Sequence, residues 1–499
     1  MPAKYHIHVH PAPPRIRPVG KLGIVDWKED CSGCHNCVKR ACIYGFFRDE
    51  ADTLRGAAAG RSQYNVELAD TGADMSGRQA SAPVHRAEIG FLDYIYQCKG
   101  CLSCIQDCTK NILTRVVNPE YARLGDGYFT PEIVLSTWYQ AETGHIPVSG
   151  AGYGGFFSGS GFDSMWTDMS EIVRPTRDGI HGREYINTSV DLGRKQKHLV
   201  FEVGEPNLNS FPLVEIPFPV IFEVIPEPWH VGPAVAAAGE AAARLGLLAV
   251  MRSDRIPAGL SVEQENIVPY LETPGAAGRS GFEAAAMVIV PDGPDVAAVQ
   301  AGCKQSNADQ VVAIRVTASP DAASRVVELT AQGAEAIHLV FDRHGRELGP
   351  SRPRHARDVL REVHTALVKD GSRDQVTLIA SGGIGLAEHV AKAIICGADL
   401  VAVDIPLVLA LECRLCGECG RGGVCPIALS AVDPEFATQR IVNLMGAWHL
   451  QLVEMLGAMG IREVRRLRGE TGRCMFFEDL ERETFGQLFG TRREDVRIS

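Results

Sequence analysis

The chain has 499 residues, of which 45% are hydrophobic and 22% charged, and its formal net charge is −11. The length points to two or three domains, and the composition excludes a disordered or fibrous protein. The acidic balance excludes a nucleic-acid binder with a broad basic surface, and no apolar run approaches the roughly 18 residues of a membrane span. The longest candidate, 400–411, is interrupted by Asp404 and Pro406. The N-terminal MPAKYHIHVHPAPPRIRPVGK lacks the apolar core of a signal peptide, so a cytoplasmic protein is expected.

Residues 1–125 carry two groups of cysteines. The stretch between them, 51–83, is rich in Ala, Gly, Ser and Asp and reads as a loop or insertion. Near its start, His6, His8 and His10 alternate as on one strand face, and a solvated edge strand is expected there rather than a metal site. From residue 126 to 430 the texture changes. FPLVEIPFPVIFEVI (211–225) supplies apolar strands. VVAIRVTAS (311–319) is strand-like, PDAASRVVELTAQGA (320–334) helical, and EAIHLVF (335–341) again strand-like. A helix over 353–371, a strand entering a glycine turn (376–385), a helix over 386–398 and a strand over 399–406 follow. Such alternation predicts a parallel sheet with right-handed crossovers, and the length favours an α/β fold of the (β/α)8 TIM-barrel type. Residues 431–499 form a helical C-terminal segment, with apolar residues at helical spacing from Pro434.

Fifteen cysteines narrow the class. Cys31, Cys34, Cys37 and Cys42 form one set, and Cys98, Cys101, Cys104 and Cys108 a second. Cys413, Cys416, Cys419 and Cys425 form a third, directly after the last barrel strand. A C-x2-C-x2-C turn presents three thiolates to one face of an iron–sulfur cube, and a fourth comes from slightly farther on. The first two sets resemble a two-cluster ferredoxin domain, although Ile43 and Thr109 stand where proline usually follows. Structural zinc is the alternative at all three sets, though zinc sites usually pair C-x2-C units at longer separations. Cys303, Cys396 and Cys474 read as buried small hydrophobes.

Ser381-Gly382-Gly383-Ile384-Gly385 follows a strand and opens a helix, the arrangement in which free backbone N–H groups receive a phosphate. In barrels the loops after strands 7 and 8 do this, which makes Asp404 the end of strand 8. A plain tight turn is the alternative. Beside iron–sulfur clusters the natural phosphate ligand is FMN, which converts between one- and two-electron chemistry. Gly150-Ala151-Gly152-Tyr153 begins a literal G-x-G-x-x-G, but no helix pattern follows, so a flavin-facing loop is expected rather than a dinucleotide site.

Three segments together, SGAGYGG (149–155), GFDSMWTDMSEIVRP (161–175) and SGGIGLAEHVAKAIICGADLVAVD (381–404), resemble the FMN-binding domain of glutamate synthase in its short archaeal-type form. The third cysteine set and the segment 432–469 extend the likeness, which covers roughly residues 130–475. The resemblance implies an FMN- and iron–sulfur-dependent oxidoreductase acting on CH–NH2 donors. Electrons would pass from ferredoxin or another redox subunit through the clusters to FMN, and on to a small 2-oxo or imino acid. It implies three clusters, [4Fe–4S] in the N-terminal ferredoxin-like domain and [4Fe–4S] or [3Fe–4S] in the third set, where Cys416 is additional to the family pattern. Arg315 stands where the family has a lysine near the flavin ring, and FDRHGRELG (341–349) replaces its DGGTGA loop. His338, Asp342, Arg343 and His344 are candidate substrate or proton-transfer residues, an ordinary charged loop being the alternative. An oligomer or multi-subunit complex is expected, and the competing reading is a flavin and iron–sulfur electron-transfer subunit without synthase activity.

Overall fold

The computed structural model describes residues 5–16, 19, 22–27, 102–109, 113–117, 119–146, 161–167, 186–196, 201–202, 205–206, 211–257, 264–272, 284–484 and 486–490. The chain divides into two compact units, one of Met1–Pro13, Gly127–Phe129 and Thr137–Ser499, the other of Pro14–Asp126 and Thr130–Ser136.

The larger unit is a closed barrel of eight parallel strands. They are β1 (Val220–Phe222), β2 (Ala249–Arg252), β3 (Ile267–Tyr270), β4 (Met287–Pro291), β5 (Val311–Thr317), β6 (Ala336–Val340), β7 (Thr377–Ser381) and β8 (Leu400–Val403). Each pairs with its sequence neighbour, and β8 closes onto β1 through Val401–Val220 and Val403–Phe222. Strands covered on both faces need near-continuous apolar runs, and β7 and β8 are buried at every position.

Helices pack outside. α1 (Gly232–Leu245) follows β1, α2 (Val296–Ser306) follows β4, and α3 (Ala322–Ala331) follows β5. α4 (Ala356–Asp370) follows β6, α5 (Ala387–Ile395) follows β7, and α6 (Ile405–Ala410) follows β8. Local chemistry sets their ends. Gly371 closes α4 in the left-handed conformation, and the Asp404 carboxylate caps α6 by accepting from Ile405 N–H. The expected strand over 399–406 therefore stops at Val403, because Asp404 and Pro406 start a helix.

The 25-residue α7 (Pro434–Ala458) packs on α1, α5 and α6, with Leu444, Trp448 and Leu452 buried. Residues 5–13 run along it. Asn443 Oδ1 accepts from His10 N–H at 3.1 Å, and Nδ2 donates to His10 O at 2.7 Å, so one amide side chain pairs like a strand neighbour. Arg440, fully buried, donates to Ala410 O, Ala12 O and Trp138 O. His6, His8 and His10 are exposed while Tyr5, Ile7 and Val9 are half-buried, but the segment joins no strand among the described residues, which corrects the expected edge strand. Cys303 and Cys396 are buried as expected. Cys474 is only half-buried, because it sits in a two-stranded pairing of Cys474–Phe476 with Met165–Thr167 rather than in the core.

In the smaller unit, Leu22–Trp27 pairs antiparallel with Leu113–Val117. This pair brackets the first two cysteine sets in the sequence. Cys31, Cys34, Cys37, Cys42, Cys98 and Cys101 lie outside the described residues, as do Gly150, Ala151, Gly152 and Tyr153. Cys104 belongs to the short helix Ser103–Gln106, and Cys108 follows it half-buried. No helix among the described residues is long and apolar enough to cross a membrane.

Candidate functional site

The carboxyl ends of the barrel strands carry two constellations. The first lies inside the barrel. Glu223 comes one residue after β1, Arg315 lies on β5, and His338 lies on β6 opposite Arg315 in register. Arg315 Nη1 donates to Glu223 Oε1 at 2.9 Å and Oε2 at 3.2 Å, and stands 3.4 Å from His338 Nδ1. His338 Nε2 is 2.9 Å from Glu223 Oε2, an ion-pair distance at an angle short of a full hydrogen bond. The Arg315 guanidinium also lies 4.9 Å from the centroid of the Tyr270 ring. Glu223 and His338 are buried, whereas Arg315 keeps 20% of its side chain exposed and Tyr270 is half-buried.

Buried charges persist when they are paired. Burial by itself would raise the Glu223 carboxyl, but Arg315 and His338 outweigh it and hold it well below the usual carboxylate range. Burial lowers His338, against the opposing pull of Glu223, and keeps the ring neutral. Asp404 forms no ion pair among the described residues; burial pushes its carboxyl up to about 6, with Glu223 adding to the rise and Arg315 opposing it.

The second constellation is the glycine loop after β7, the seventh barrel strand. Gly382 and Gly383 have φ of +100° and +72°, and a Cβ on Gly383 would lie 2.6 Å from Gly345 Cα. The backbone at these positions requires glycine. Among the described residues the amides of Gly382, Gly383 and Ile384 donate no hydrogen bond. Among the described residues the buried Ser381 Oγ has no partner, and Leu386 gives α5 no side-chain cap. Unmatched donors at the start of a helix suit an anion, so these residues fit a phosphate group. Gly385 N–H, by contrast, is taken by His389 Nδ1 at 3.1 Å, and His389 Nε2 in turn is 2.8 Å from Asp163 Oδ1.

Asp342 and His344 do not join Arg315 and His338. Asp342 Oδ1 accepts from the amides of His344 and Arg346, both at 2.8 Å, and so shapes the β6–α4 loop. His344 lies over Tyr128, with ring centroids 5.5 Å apart, and Arg343 Nε donates to its Nε2. Asp404 caps α6 beside the first constellation. Sequence reasoning missed Glu223, Tyr270, Tyr128, His355 and His389. A lone acid inside the apolar run PVIFEVI was the one available signal, for Glu223.

The third cysteine set forms a loop after α6. Cys413 is buried, and Cys416, Cys419 and Cys425 are half-buried. Burial raises the Cys413 thiol to about 12, and Cys419, Cys416 and Cys425 add to the rise. Leu415 N–H points to Cys413 Sγ at 3.5 Å. Among the described residues the non-glycine residues with positive φ are Leu102, Glu412, Leu415 and Ala428, and every one adjoins or lies near a cysteine of these sets. Such backbone strain concentrates where a site imposes its geometry. Four thiols in one loop, with an amide donor, suit an iron–sulfur cluster.

Residues 356–462 match a family model described as a conserved region in glutamate synthase. An archaeal glutamate synthase (NADPH) of Archaeoglobus fulgidus is 26% identical over 457 residues, covering 78% of this chain and 88% of that protein. An archaeal-type glutamate synthase (NADPH) of Dehalococcoides mccartyi is 25% identical over 432 residues, covering 74% of this chain and 85% of that protein. Among solved structures, a mandelate oxidase aligns with a TM-score of 0.37 at 15% identity, covering 61% of this chain and 97% of that one. Over most of its length, then, the chain is similar to archaeal-type glutamate synthases, and the stretch from α4 through α7 matches the conserved region of that family.

Proposed function

We propose that the chain is an FMN- and iron–sulfur-dependent oxidoreductase of the glutamate synthase type. It would take electrons from ferredoxin or another redox subunit and deliver them to a small 2-oxo or imino acid. The observation that carries this reading is the unmatched donor set after β7, Ser381 Oγ with the amides of Gly382, Gly383 and Ile384, in a barrel similar to those synthases. When bound, FMN and the clusters supply the interconversion of one- and two-electron chemistry.

The protein's own residues have distinct roles in this reading. Ser381 and the loop amides hold the phosphate. Arg315 provides a cation inside the barrel mouth, oriented by Glu223 and the Tyr270 ring. His338, neutral and buried against both, is the candidate to hold or move a proton. Cys413, Cys416, Cys419 and Cys425 supply the ligands of a four-iron cluster. The two N-terminal cysteine sets supply two more, in a ferredoxin-like domain.

A second reading, an electron-transfer subunit without synthase activity, is favoured by Glu223. It neutralises Arg315, while Asp404 is ionised above about pH 6, so these groups together are negative at neutral pH. Such a mouth disfavours a dicarboxylate. A single anaerobic turnover separates the two. The protein is reduced, freed of excess reductant and given 2-oxoglutarate with ammonium. Reoxidation with glutamate formed supports synthase chemistry, and a persistent reduced spectrum supports the relay.

A further inference from the structure

The glycine loop after β7 is braced by side chains far from it in the sequence. The Tyr128 hydroxyl donates to Gly383 O at 2.6 Å and lies 3.2 Å from His355 Nε2. His355 is the N-cap of α4, and its Nδ1 accepts from Arg357 N–H at 3.2 Å. That bond leaves the ring proton on Nε2, where it is donated to the Tyr128 oxygen. The bonds therefore run one way: Arg357 amide to His355, His355 to Tyr128, Tyr128 to the Gly383 carbonyl. Glycine at 345 makes room for the imidazole, since a Cβ there would lie 2.8 Å from His355 Nε2.

Burial keeps the Tyr128 hydroxyl protonated, far above its ordinary range, and keeps His355 neutral, far below its own. The direction of the chain is thus fixed across neutral pH. Its target matters because the Gly383 carbonyl and the Ile384 N–H belong to one planar trans peptide and point in opposite directions. Holding the carbonyl on Tyr128 turns the Ile384 N–H away from Tyr128, and that N–H has no acceptor among the described residues. The next amide, Gly385 N–H, is withdrawn by His389, itself held by Asp163.

We propose that Tyr128 and His355 are positioning residues that fix the 383–384 peptide so that its N–H is presented to the phosphate monoester of the flavin, giving the site its preference for a phosphorylated over a dephosphorylated ligand. This rests on the flavin reading above. Neither side chain needs to touch the ligand. Their effect is to remove the reorganisation that binding would otherwise require.

The test compares FMN with riboflavin, which lacks the phosphate, on the full chain freed of flavin. Binding is followed by quenching of flavin fluorescence. Tyr128→Phe removes one oxygen and is expected to weaken FMN about tenfold, in line with a buried carbonyl left unpaired, while riboflavin stays within about twofold. His355→Asn is expected to weaken FMN in the same direction. The double variant is expected to be no worse than Tyr128→Phe, because both act through one bond. The phosphorus resonance of bound FMN should also shift in each variant. The proposal is overturned if Tyr128→Phe keeps the wild-type preference for FMN, or loses FMN and riboflavin in equal proportion as a general loosening would. A wild-type chain that binds both flavins alike would overturn the phosphate-site reading together with the brace. A wild-type preference that survives in Tyr128→Phe overturns the brace alone.

Discussion

Arg315 on β5 reaches across the barrel to Glu223 at the end of β1, with Nη1 2.9 Å from Oε1. The two strands stand on opposite sides of the closed ring, so this ion pair spans the mouth where barrel active sites form. Removing one partner leaves the other charge buried alone. Glu223→Ala is expected to destabilise the barrel by about 3–5 kcal/mol. The Glu223→Leu, Arg315→Met double variant is expected to recover most of that loss. Urea unfolding followed by tryptophan fluorescence reads both.

Asp404 gives the barrel a pH dependence of known sign. Its folded-state pKa of about 6 lies above the ordinary carboxylate value of 3.8. The contribution to stability is therefore fully present below the unfolded value and is lost as pH rises through about 6. Asn keeps the cap on Ile405 N–H without the charge. Asp404→Asn is expected to be more stable than wild type by about 2–3 kcal/mol at pH 8, at 1.36 kcal/mol per unit. The gap should narrow toward pH 5. A constant gap would place the effect elsewhere.

Gly383→Ala tests the loop itself. The substituted residue would have to keep φ near +72° with a Cβ 2.6 Å from Gly345 Cα. The expected outcome is a loss of about 1–2 kcal/mol from the left-handed conformation alone. FMN binding should fall further than riboflavin binding, read by equilibrium dialysis.

Cys416→Ser distinguishes the cluster types. On the proposed cluster reading, four thiolates would hold a four-iron cube at the third site and three a three-iron cluster. The variant is expected to lose about one iron per chain and to gain an EPR signal in the oxidised state, which the oxidised cube lacks. An unchanged spectrum and iron content would remove Cys416 from the ligand set.

The second half of the barrel was legible because β5 to β8 are apolar runs of strand length punctuated by glycine. The 311–319 and 376–385 segments map closely onto Val311–Thr317 and Thr377–Ser381. The glycine loop could be placed after strand 7 for the same reason. The first half was harder. β2 and β3 are four residues each, and the helical residues described between them are a single 3-10 turn, Gln264–Asn266, so no strand–helix alternation marks them. Of the candidate acid–base residues, Arg315 and His338 are brought together by strand register, a long-range relation that local pattern does not encode. Asp342 stands out in the sequence by its charge, but its carboxylate is held by two backbone amides. Tyr128 and His355 escaped notice because 227 residues separate them.

On the proposed function, one chain carries a flavin and iron–sulfur clusters together. The most direct test is cofactor analysis of the full chain purified without oxygen, with flavin identified by chromatography after acid release and metals quantified by mass spectrometry. The expected result is one FMN and about twelve iron atoms per chain, with matching acid-labile sulfide, as three four-iron cubes require. Zinc in place of iron, or no flavin retained on reconstitution with FMN, would contradict it.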